Sequence, residues 1–298
     1  MVKQLKKAAI IAGIFLLYAI LSSFCFGQEK PAVKEEKTVK TETASIDKKS
    51  EEILKKASDF YAAKKNLMVS MTQITKSGAQ GQPSENKRDF EVVAEKPNKL
   101  SMKSSTNDQV TVIDGKKLFT YRGRAKQYTE KDAPADFDTF MKGGGSAEAF
   151  GRFNINMYIV LSMLTNNPYA TLTQNIEKIE YKGQEDVAGT KLEHIKIIEK
   201  ARDIDLWFKS GDNPVIVKIV PDMQKIMRSQ GREPRGRIDI TVNFDNWKFD
   251  EKIPVEKFTF TPGKDDKKVD AFQRGRVSAP SSTSAPTPKP ENKEKVTP

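Results

Sequence analysis

Apolar and polar side chains alternate most regularly on either side of Asp114-Gly115, between Gln109 and Tyr121. An Asp-Gly pair between two alternating runs is typical of a tight β-hairpin, because the turn needs positive φ angles that these residues adopt easily. Taking the pair as the turn places Ile113 opposite Lys116. Residues on one side of a hairpin share a face. We expect the following residues to face a core: Val110, Val112, Phe119 and Tyr121.

Similar alternation extends along most of the chain. Turn residues at Pro97-Asn98 and Thr106-Asn107-Asp108 separate further strands before this hairpin. The second half predicts strands over 176–182, 190–199, 203–209, 215–220 and 237–247. In the last of these the apolar side chains are Ile238, Ile240, Val242 and Phe244. The total of roughly nine to eleven strands is near the limit at which an open sheet must curl.

Helical patterns of apolar residues predict which segments pack on this sheet. Ile53 to Tyr61 carries an apolar stripe with a charged back, which is typical of a helix that packs on a sheet. Met157 to Leu164 is apolar nearly all round, so a helix there must be buried. Short helices are expected over 134–140 and 147–150, with Gly143, Gly144 and Gly145 between them. These glycines lack the P-loop pattern and favour a hinge.

Two stretches carry a resemblance to known families. Glu95-Lys-Pro-Asn-Lys-Leu-Ser-Met102 and Val112-Ile-Asp-Gly-Lys-Lys-Leu-Phe-Thr-Tyr121 resemble the strand pattern of the LolA-like periplasmic lipoprotein-carrier superfamily. The region from Glu52 to Phe272, including Asp205-Leu-Trp-Phe208 and Asn243-Phe-Asp-Asn-Trp247, is similar to an uncharacterised bacterial family of predicted periplasmic proteins. The resemblance implies an α+β fold, a large curled antiparallel sheet (a LolA-like half-barrel) covered by short helices. It also implies a non-enzymatic carrier or sensor of an apolar acyl, lipid or lipoprotein ligand.

The two ends of the chain predict export and a tether. Lys3, Lys6 and Lys7 precede an uncharged run from 8 to 27, which predicts a signal peptide or an N-terminal anchor over 1–27. A flexible tether is expected over 28–45, the half-barrel domain over 46–272 and a disordered tail over 273–298. Cys25 is the only cysteine, so the mature domain must fold without a disulfide. We expect a periplasmic or exported protein, with inner-membrane anchoring as the alternative.

The distribution of charge along the chain indicates which classes of partner to expect. The formal net charge is +11, but lysine and glutamate are interleaved in most segments and no arginine-aromatic nucleic-acid motif occurs. We therefore expect no nucleic-acid partner, a monomer, and an anionic envelope surface as one candidate partner. The main alternative to the carrier is an envelope regulatory or structural protein that uses the same fold to bind a protein partner.

Catalytic chemistry has few candidates. The only histidine, His194, has no second His or Cys nearby in the sequence and no Gly-x-Ser-x-Gly motif accompanies it. A structural histidine is therefore favoured over a general base or a metal ligand, and we expect no cofactor and no metal. Trp207 and Trp247 each belong either to the core or to a cavity wall, and we expect one of them to reach the ligand face.

Two groups of residues follow as candidates. The ligand cavity is expected to be lined by Val110, Val112, Phe119, Tyr121, Ile238, Ile240, Val242, Phe244 and Trp207. The candidates for a movable lid are Gly143, Gly144, Gly145, Met157, Ile159, Val160, Leu161 and Leu164. A half-barrel interior is too wide for its own side chains to fill, so the lid helix, a ligand, or each in turn must occupy it.

Overall fold

Strands contain more residues than helices do in the computed structural model, which describes residues 45–79, 82–106, 108–143, 150, 155–234 and 236–272. The strands are β1 (Ser45–Ile46), β2 (Asn66–Ala79), β3 (Gln82–Glu95), β4 (Lys99–Ser104), β5 (Gln109–Asp114), β6 (Lys117–Arg122), β7 (Gln127–Asp132), β8 (Ile176–Val187), β9 (Thr190–Glu199), β10 (Asp203–Lys209), β11 (Ile216–Pro221), β12 (Arg237–Phe249) and β13 (Lys267–Lys268). The helices are α1 (Lys48–Ala62), α2 (Phe137–Lys142), α3 (Ile155–Ser162), α4 (Pro168–Thr173) and α5 (Met223–Ser229).

All of these strands belong to one open, curled sheet in the order β1-β8-β9-β10-β11-β12-β2-β3-β4-β5-β6-β7-β13. Neighbours run antiparallel, except that the two-residue strands β1 and β13 lie parallel to β8 and β7. The long pairing of β12 with β2 joins the two halves of the chain. The α+β fold with a large, mainly antiparallel sheet and short helices is therefore confirmed, with parallel pairs added at its two edges.

The register of the Asp114-Gly115 hairpin differs from the prediction by two residues. Val112 lies opposite Phe119 and Val110 opposite Tyr121, because Asp114 belongs to β5 and the two loop residues are Gly115 and Lys116. One Asp114 carboxylate oxygen, Oδ1, accepts hydrogen bonds from the backbone nitrogens of the two residues after Gly115, at 2.7 and 2.6 Å. Gly115 has a φ of +98°, as its position in the turn requires. A shift by two keeps every side chain on its predicted side.

One face of the sheet, here called the inner face, packs against α1 and α3. Its side chains join a single buried cluster with those of the two helices. From the sheet this cluster includes Leu67, Val69, Met71, Phe90, Val92, Ala94, Leu100, Met102, Ile113, Leu118, Ile179, Ile195, Ile197, Ile204, Leu206, Phe208, Ile216, Ile219, Val242 and Phe244. The opposite side is called the outer face.

Helix α1 is fixed to the inner face through one backbone position of β11. The helix begins at Asp47, whose Oδ1 accepts from the backbone nitrogen of Ser50 at 3.0 Å. At its other end the Tyr61 hydroxyl accepts from the backbone nitrogen of Ile216 at 3.0 Å, and Trp247 Nε1 donates to the carbonyl of Ile216 at 2.8 Å. Full burial raises the pKa of Tyr61. A helix and two strands therefore satisfy each other's buried polar groups.

Most side chains of helix α3 are buried, as its sequence predicts. Met157, Ile159, Val160 and Leu161 are at most 1% exposed. Gly143 ends α2 with a φ of −75°, so its place there does not depend on a glycine-only conformation. Gly144 and Gly145 lie outside the described residues, as do residues 1–44 and 273–298, on which the signal, tether and tail predictions fall.

The outer face has a cover of its own over β4 to β7. Residues 254–272, here called the C-terminal strap, cross this part of the sheet. The Phe260 ring centre lies 5.5 to 5.6 Å from those of Phe119, Tyr121 and Tyr128. The Tyr121 hydroxyl donates to Asp266 Oδ1 at 3.0 Å. The strap therefore buries apolar side chains that the helices do not reach.

Candidate functional site

The two strand sets expected to line one cavity lie on opposite faces of the sheet. Phe244 lies opposite Met71 on the inner face, and Val242, Ile240 and Ile238 follow on the same side of β12. In β5 the inner-face residue is Ile113, so Val110 and Val112 point outward. Phe119 and Tyr121 lie beside them on the outer face. The prediction of one shared interior is wrong.

The physical reason is that both faces of β5 are buried. Val112 and Ile113 are each 0% exposed, one beneath the C-terminal strap and the other beneath the helices. Alternation identifies the residues that share a side, but it cannot tell which cover lies on that side. The surface on which the strap packs therefore comprises Val110, Val112, Phe119 and Tyr121. The ligand-cavity candidates that lie on the inner face are those of β12.

The inner face of β12 leads from the core to an open groove. Phe244 and Val242 are buried, whereas Ile240 and Ile238 are half-buried towards the end of the strand. A groove of about 750 Å³ opens there, bounded by α5, the loop that follows it, and the ends of β2 and β12. Its lining comprises Ser77, Gly78, Met227, Gly231, Arg232, Glu233, Pro234, Gly236, Arg237 and Ile238. This volume is within the usual range for small-molecule sites.

Charged side chains lie beside the apolar ones in this groove, here called the β12 groove. Arg237 Nε donates to both carboxylate oxygens of Asp239, at 2.8 and 2.9 Å. At the N-terminus of α5, Asp222 Oδ1 caps the helix by accepting a hydrogen bond from the backbone nitrogen of Lys225 at 2.9 Å. The Lys225 ammonium in turn lies 2.6 Å from Asp203 Oδ1. These contacts hold α5 against the end of β10 and so define one wall.

Helix α3 occupies the inner face further along. Leu164, just beyond the end of α3, is 3% exposed and joins the same core as the helix. The Thr165 hydroxyl lies 3.0 Å from that of Thr171 in α4, and the Tyr158 hydroxyl donates to the Thr171 carbonyl at 3.4 Å. The helix predicted to be a lid therefore packs against the inner face.

The two tryptophans lie on opposite faces, and Trp207 is the one on the outer face. Its neighbours Leu206 and Phe208 are both inner-face residues, so Trp207 points outward. Trp247 reaches the inner face because β12 has a bulge between Asp245 and Lys248 that reverses the alternation. The Trp247 ring lies 5.6 Å from that of Tyr61. The prediction that Trp207 lines the inner cavity is therefore wrong.

His194 belongs to an outer-face cluster around Trp207. Its ring is stacked on Trp207 with centres 4.0 Å apart, and the Lys218 ammonium lies 4.0 Å from the Trp207 ring centre. His194 Nε2 is 2.8 Å from Asp205 Oδ1 and its Nδ1 is 3.2 Å from Glu185 Oε1. No local pattern in the sequence indicated these carboxylate partners. Both ring nitrogens have polar neighbours, which fits a structural histidine.

Sequence reasoning missed the wall of the groove formed by α5 and the loop after it. Met227 and Pro234 lie between the predicted strands over 215–220 and 237–247, in a stretch with no predicted element. Asp222 followed by Met223, Ile226 and Met227 was the available indication, because it combines a helix N-cap with helical apolar spacing. A groove between this helix and two strand ends could not be located without the sheet order.

An open curled sheet with helices on its inner face and a groove at the end of β12 defines an α+β half-barrel protein. The chain belongs to the family of predicted periplasmic proteins designated DUF2092, whose profile matches residues 50–272. Among curated proteins, none matches the sequence significantly.

Several solved structures are similar to this chain. One is an uncharacterized conserved protein from Thermus thermophilus, with 9% identity, a TM-score of 0.41 and coverage of 74% of this chain and 98% of that one. A LolA superfamily protein from Nitrosomonas europaea has 12% identity, a TM-score of 0.31 and coverage of 70% and 96%. LprF from Mycobacterium bovis has 12% identity, a TM-score of 0.39 and coverage of 71% and 98%.

The described part of the chain lacks two features that would indicate membrane spanning by a helix or metal binding. No helix within it is both long and apolar enough to cross a bilayer. The apolar run over 8–27 is outside that part. The described ranges also contain no group of three or more His, Cys, Asp or Glu side chains arranged to hold a metal ion.

Proposed function

We propose that this protein is a non-enzymatic periplasmic carrier or sensor that binds an acyl-bearing ligand, either a lipid or a lipoprotein, on the inner face of its half-barrel. The observation that carries the proposal is the β12 groove of about 750 Å³, which opens beside Ile238. From Ile238 an unbroken row of apolar side chains leads along β12 into the core. A groove that continues as an apolar row suits a flexible chain better than a compact polar substrate.

The acyl chain enters at the β12 groove and extends along the row towards Val242. Helix α3 covers the inner face in the closed state, so deep entry requires α3 to move outward. This movement would use the hinge that the sequence predicts at Gly143, Gly144 and Gly145. The ligand and the lid helix thus occupy the inner face in turn.

No catalytic step is part of this proposal. His194, the only histidine, lies on the outer face, and its ring contacts Trp207 and two carboxylates. It is therefore separated from the proposed ligand path by the sheet itself. Binding and release account for the role of the inner face without a reacting group.

Introducing a charged residue into the apolar row of β12 tests the proposal. Ile238→Asp and Ile240→Asp should abolish saturable binding of a fluorescent fatty acid to the delipidated full-length protein, because a carboxylate in the path must be desolvated. Thr241→Asp is the matched control, since Thr241 lies on the outer face of the same strand. It should bind like the unmodified protein. Melting curves identify any variant that loses binding by unfolding.

Two results would reject ligand binding. The first is a delipidated protein that shows no saturable uptake, and the second is equal binding by the Ile238→Asp and Thr241→Asp variants. Mass spectrometry of the protein purified from the envelope provides an independent check, because a carrier should retain a bound acyl compound.

The second candidate function is binding of a protein partner, with α3 as a permanent part of the core. The close packing of Met157, Val160 and Leu161 favours it, since a fixed helix leaves no interior to fill. Under this alternative no lipid co-purifies, and cross-linking in envelope extracts should recover one protein repeatedly.

A further inference from the structure

Arginine is frequent in the segment that connects α5 to β12. The segment from Arg228 to Arg237 contains four arginines and one acidic residue, Glu233. Arg232 and Arg237 both line the groove, as does Glu233. Two arginines and one glutamate therefore line the groove where the apolar row meets solvent.

The same groove is also lined by apolar residues. Met227, Pro234 and Ile238 line it together with Arg232 and Arg237. A pure hydrocarbon would contact only the apolar part of this lining, and a simple anion only the charged part. A molecule that carries both an acyl chain and a negative charge matches both parts of the lining.

The Arg237 side chain is both oriented by a neighbouring carboxylate and exposed to solvent. Its Nε contact with Asp239 orients the guanidinium, and its side chain remains 81% exposed. A guanidinium has five N–H donors in a rigid fork, so one N–H directed at Asp239 leaves donors for a second acceptor. Arginine is suited to carboxylate and phosphate groups because its paired N–H bonds match their oxygens.

We infer that the β12 groove recognises an amphiphile with an anionic headgroup, a carboxylate or a phosphate carried on an acyl chain, with Arg232 and Arg237 at the headgroup and Ile238 at the start of the chain. This inference rests on the proposed function, and it adds the chemical class of the ligand. Asp239 and Glu233 are the opposing charges, and they restrict the headgroup to the arginine side of the mouth.

The test compares three ligands that share one acyl chain: a fatty acid, a lysophosphatidic acid and a neutral monoacylglycerol. Inorganic phosphate alone is a fourth arm. Isothermal titration of the delipidated full-length protein should give affinities for the two anionic amphiphiles about tenfold or more above that for the neutral one, and this gap should narrow with salt. Inorganic phosphate should not bind measurably. The stronger of the two anionic ligands identifies the preferred headgroup.

The variant Arg232→Gln/Arg237→Gln should lose the preference for anionic ligands and keep its affinity for the monoacylglycerol. Arg124→Gln is the control, because Arg124 is 84% exposed and lies in the 3-10 turn over Gly123–Ala125, outside the groove lining. Its affinities should be unchanged.

Each other outcome has one meaning. Equal affinity for all three amphiphiles in the unmodified protein, or a preference that survives in the double arginine variant, overturns the headgroup inference but leaves the carrier proposal standing. Binding of phosphate as strong as that of lysophosphatidic acid also overturns it, because the acyl chain would then contribute nothing. Absence of binding by all three amphiphiles rejects the carrier proposal itself.

Discussion

Replacement of Leu161 by alanine tests whether α3 gives way to an acyl chain. Leu161 is 0% exposed in the closed state and joins the inner-face core. If the lid opens for the ligand, a weaker closed state should increase the fraction of protein that is ready to bind. The variant should then be less stable and should bind more tightly.

The structure allows the balance to be estimated. Full burial of the four side chains Met157, Ile159, Val160 and Leu161 stabilises the closed lid by about 6 to 12 kcal/mol, at about 1.5 to 3 kcal/mol each. An acyl chain that buries about 14 methylenes in their place gains roughly 11 kcal/mol before ordering costs. The two terms are similar, so exchange between them is feasible. A leucine-to-alanine change in such a core costs about 2 kcal/mol or more.

A shift of about 2 kcal/mol towards the open state corresponds to roughly a 30-fold higher apparent affinity, provided that the open state is the minor one. The assay is titration of the delipidated protein with a fluorescent fatty acid, alongside urea unfolding of the same samples. Val93→Ala is the matched control, because Val93 is also 0% exposed but is not part of the inner-face core cluster. It should lose stability without any gain in affinity.

One result would refute the lid. If Leu161→Ala lowers stability and leaves the affinity unchanged, α3 is a fixed part of the core in both states. Binding would then be confined to the β12 groove, or the inner face would have no ligand at all.

Three further predictions concern the fold. Tyr61→Phe should cost about 1 to 3 kcal/mol in urea unfolding, since the buried N–H of Ile216 loses its acceptor, and an unchanged midpoint would contradict that bond. Gly115→Val should lower the melting temperature more than Gly78→Val does. Of these two glycines only Gly115 has a positive φ, where a β-branched residue costs on the order of 1 kcal/mol or more. Equal effects of the two changes would count against the turn. Asp250 has a lowered pKa, chiefly because its carboxylate accepts from the backbone nitrogen of Lys65. The contribution of Asp250 to folding stability is therefore present above its unfolded-state pKa and is lost as the pH falls below about 4. The difference in melting temperature between the unmodified protein and Asp250→Asn should then disappear in acid. A constant difference from neutral to acidic pH would contradict this.

Much of the secondary structure is determined by local sequence. The strands over Thr190–Glu199 and Asp203–Lys209 have the bounds that alternation and turn residues predicted. Helices α1 and α3 also lie where their apolar patterns placed them. These elements are predictable because a two-residue or 3.6-residue period and the residues that end it are written within a few turns of chain.

The candidate site was predictable only in part. The row Ile238 to Phe244 was identified correctly as one apolar side of a strand, and it does lie on the inner face. Its continuation into a groove was not predictable, because the opposite wall comes from α5 and from the end of β2, which is about 160 residues away in the sequence. Trp247 illustrates the same limit, since a bulge in β12 moved it to the inner face.

By itself, the sequence determined the type and position of most strands and helices, and which side chains share a side of each strand. Only the tertiary structure decided which side is the interior. Val112 and Ile113 are adjacent, equally apolar and equally buried. The helices cover one of them and the C-terminal strap, more than 140 residues further along the chain, covers the other. Burial depends on what packs against a side chain, and that partner is set by the path of the whole chain, which no local period encodes.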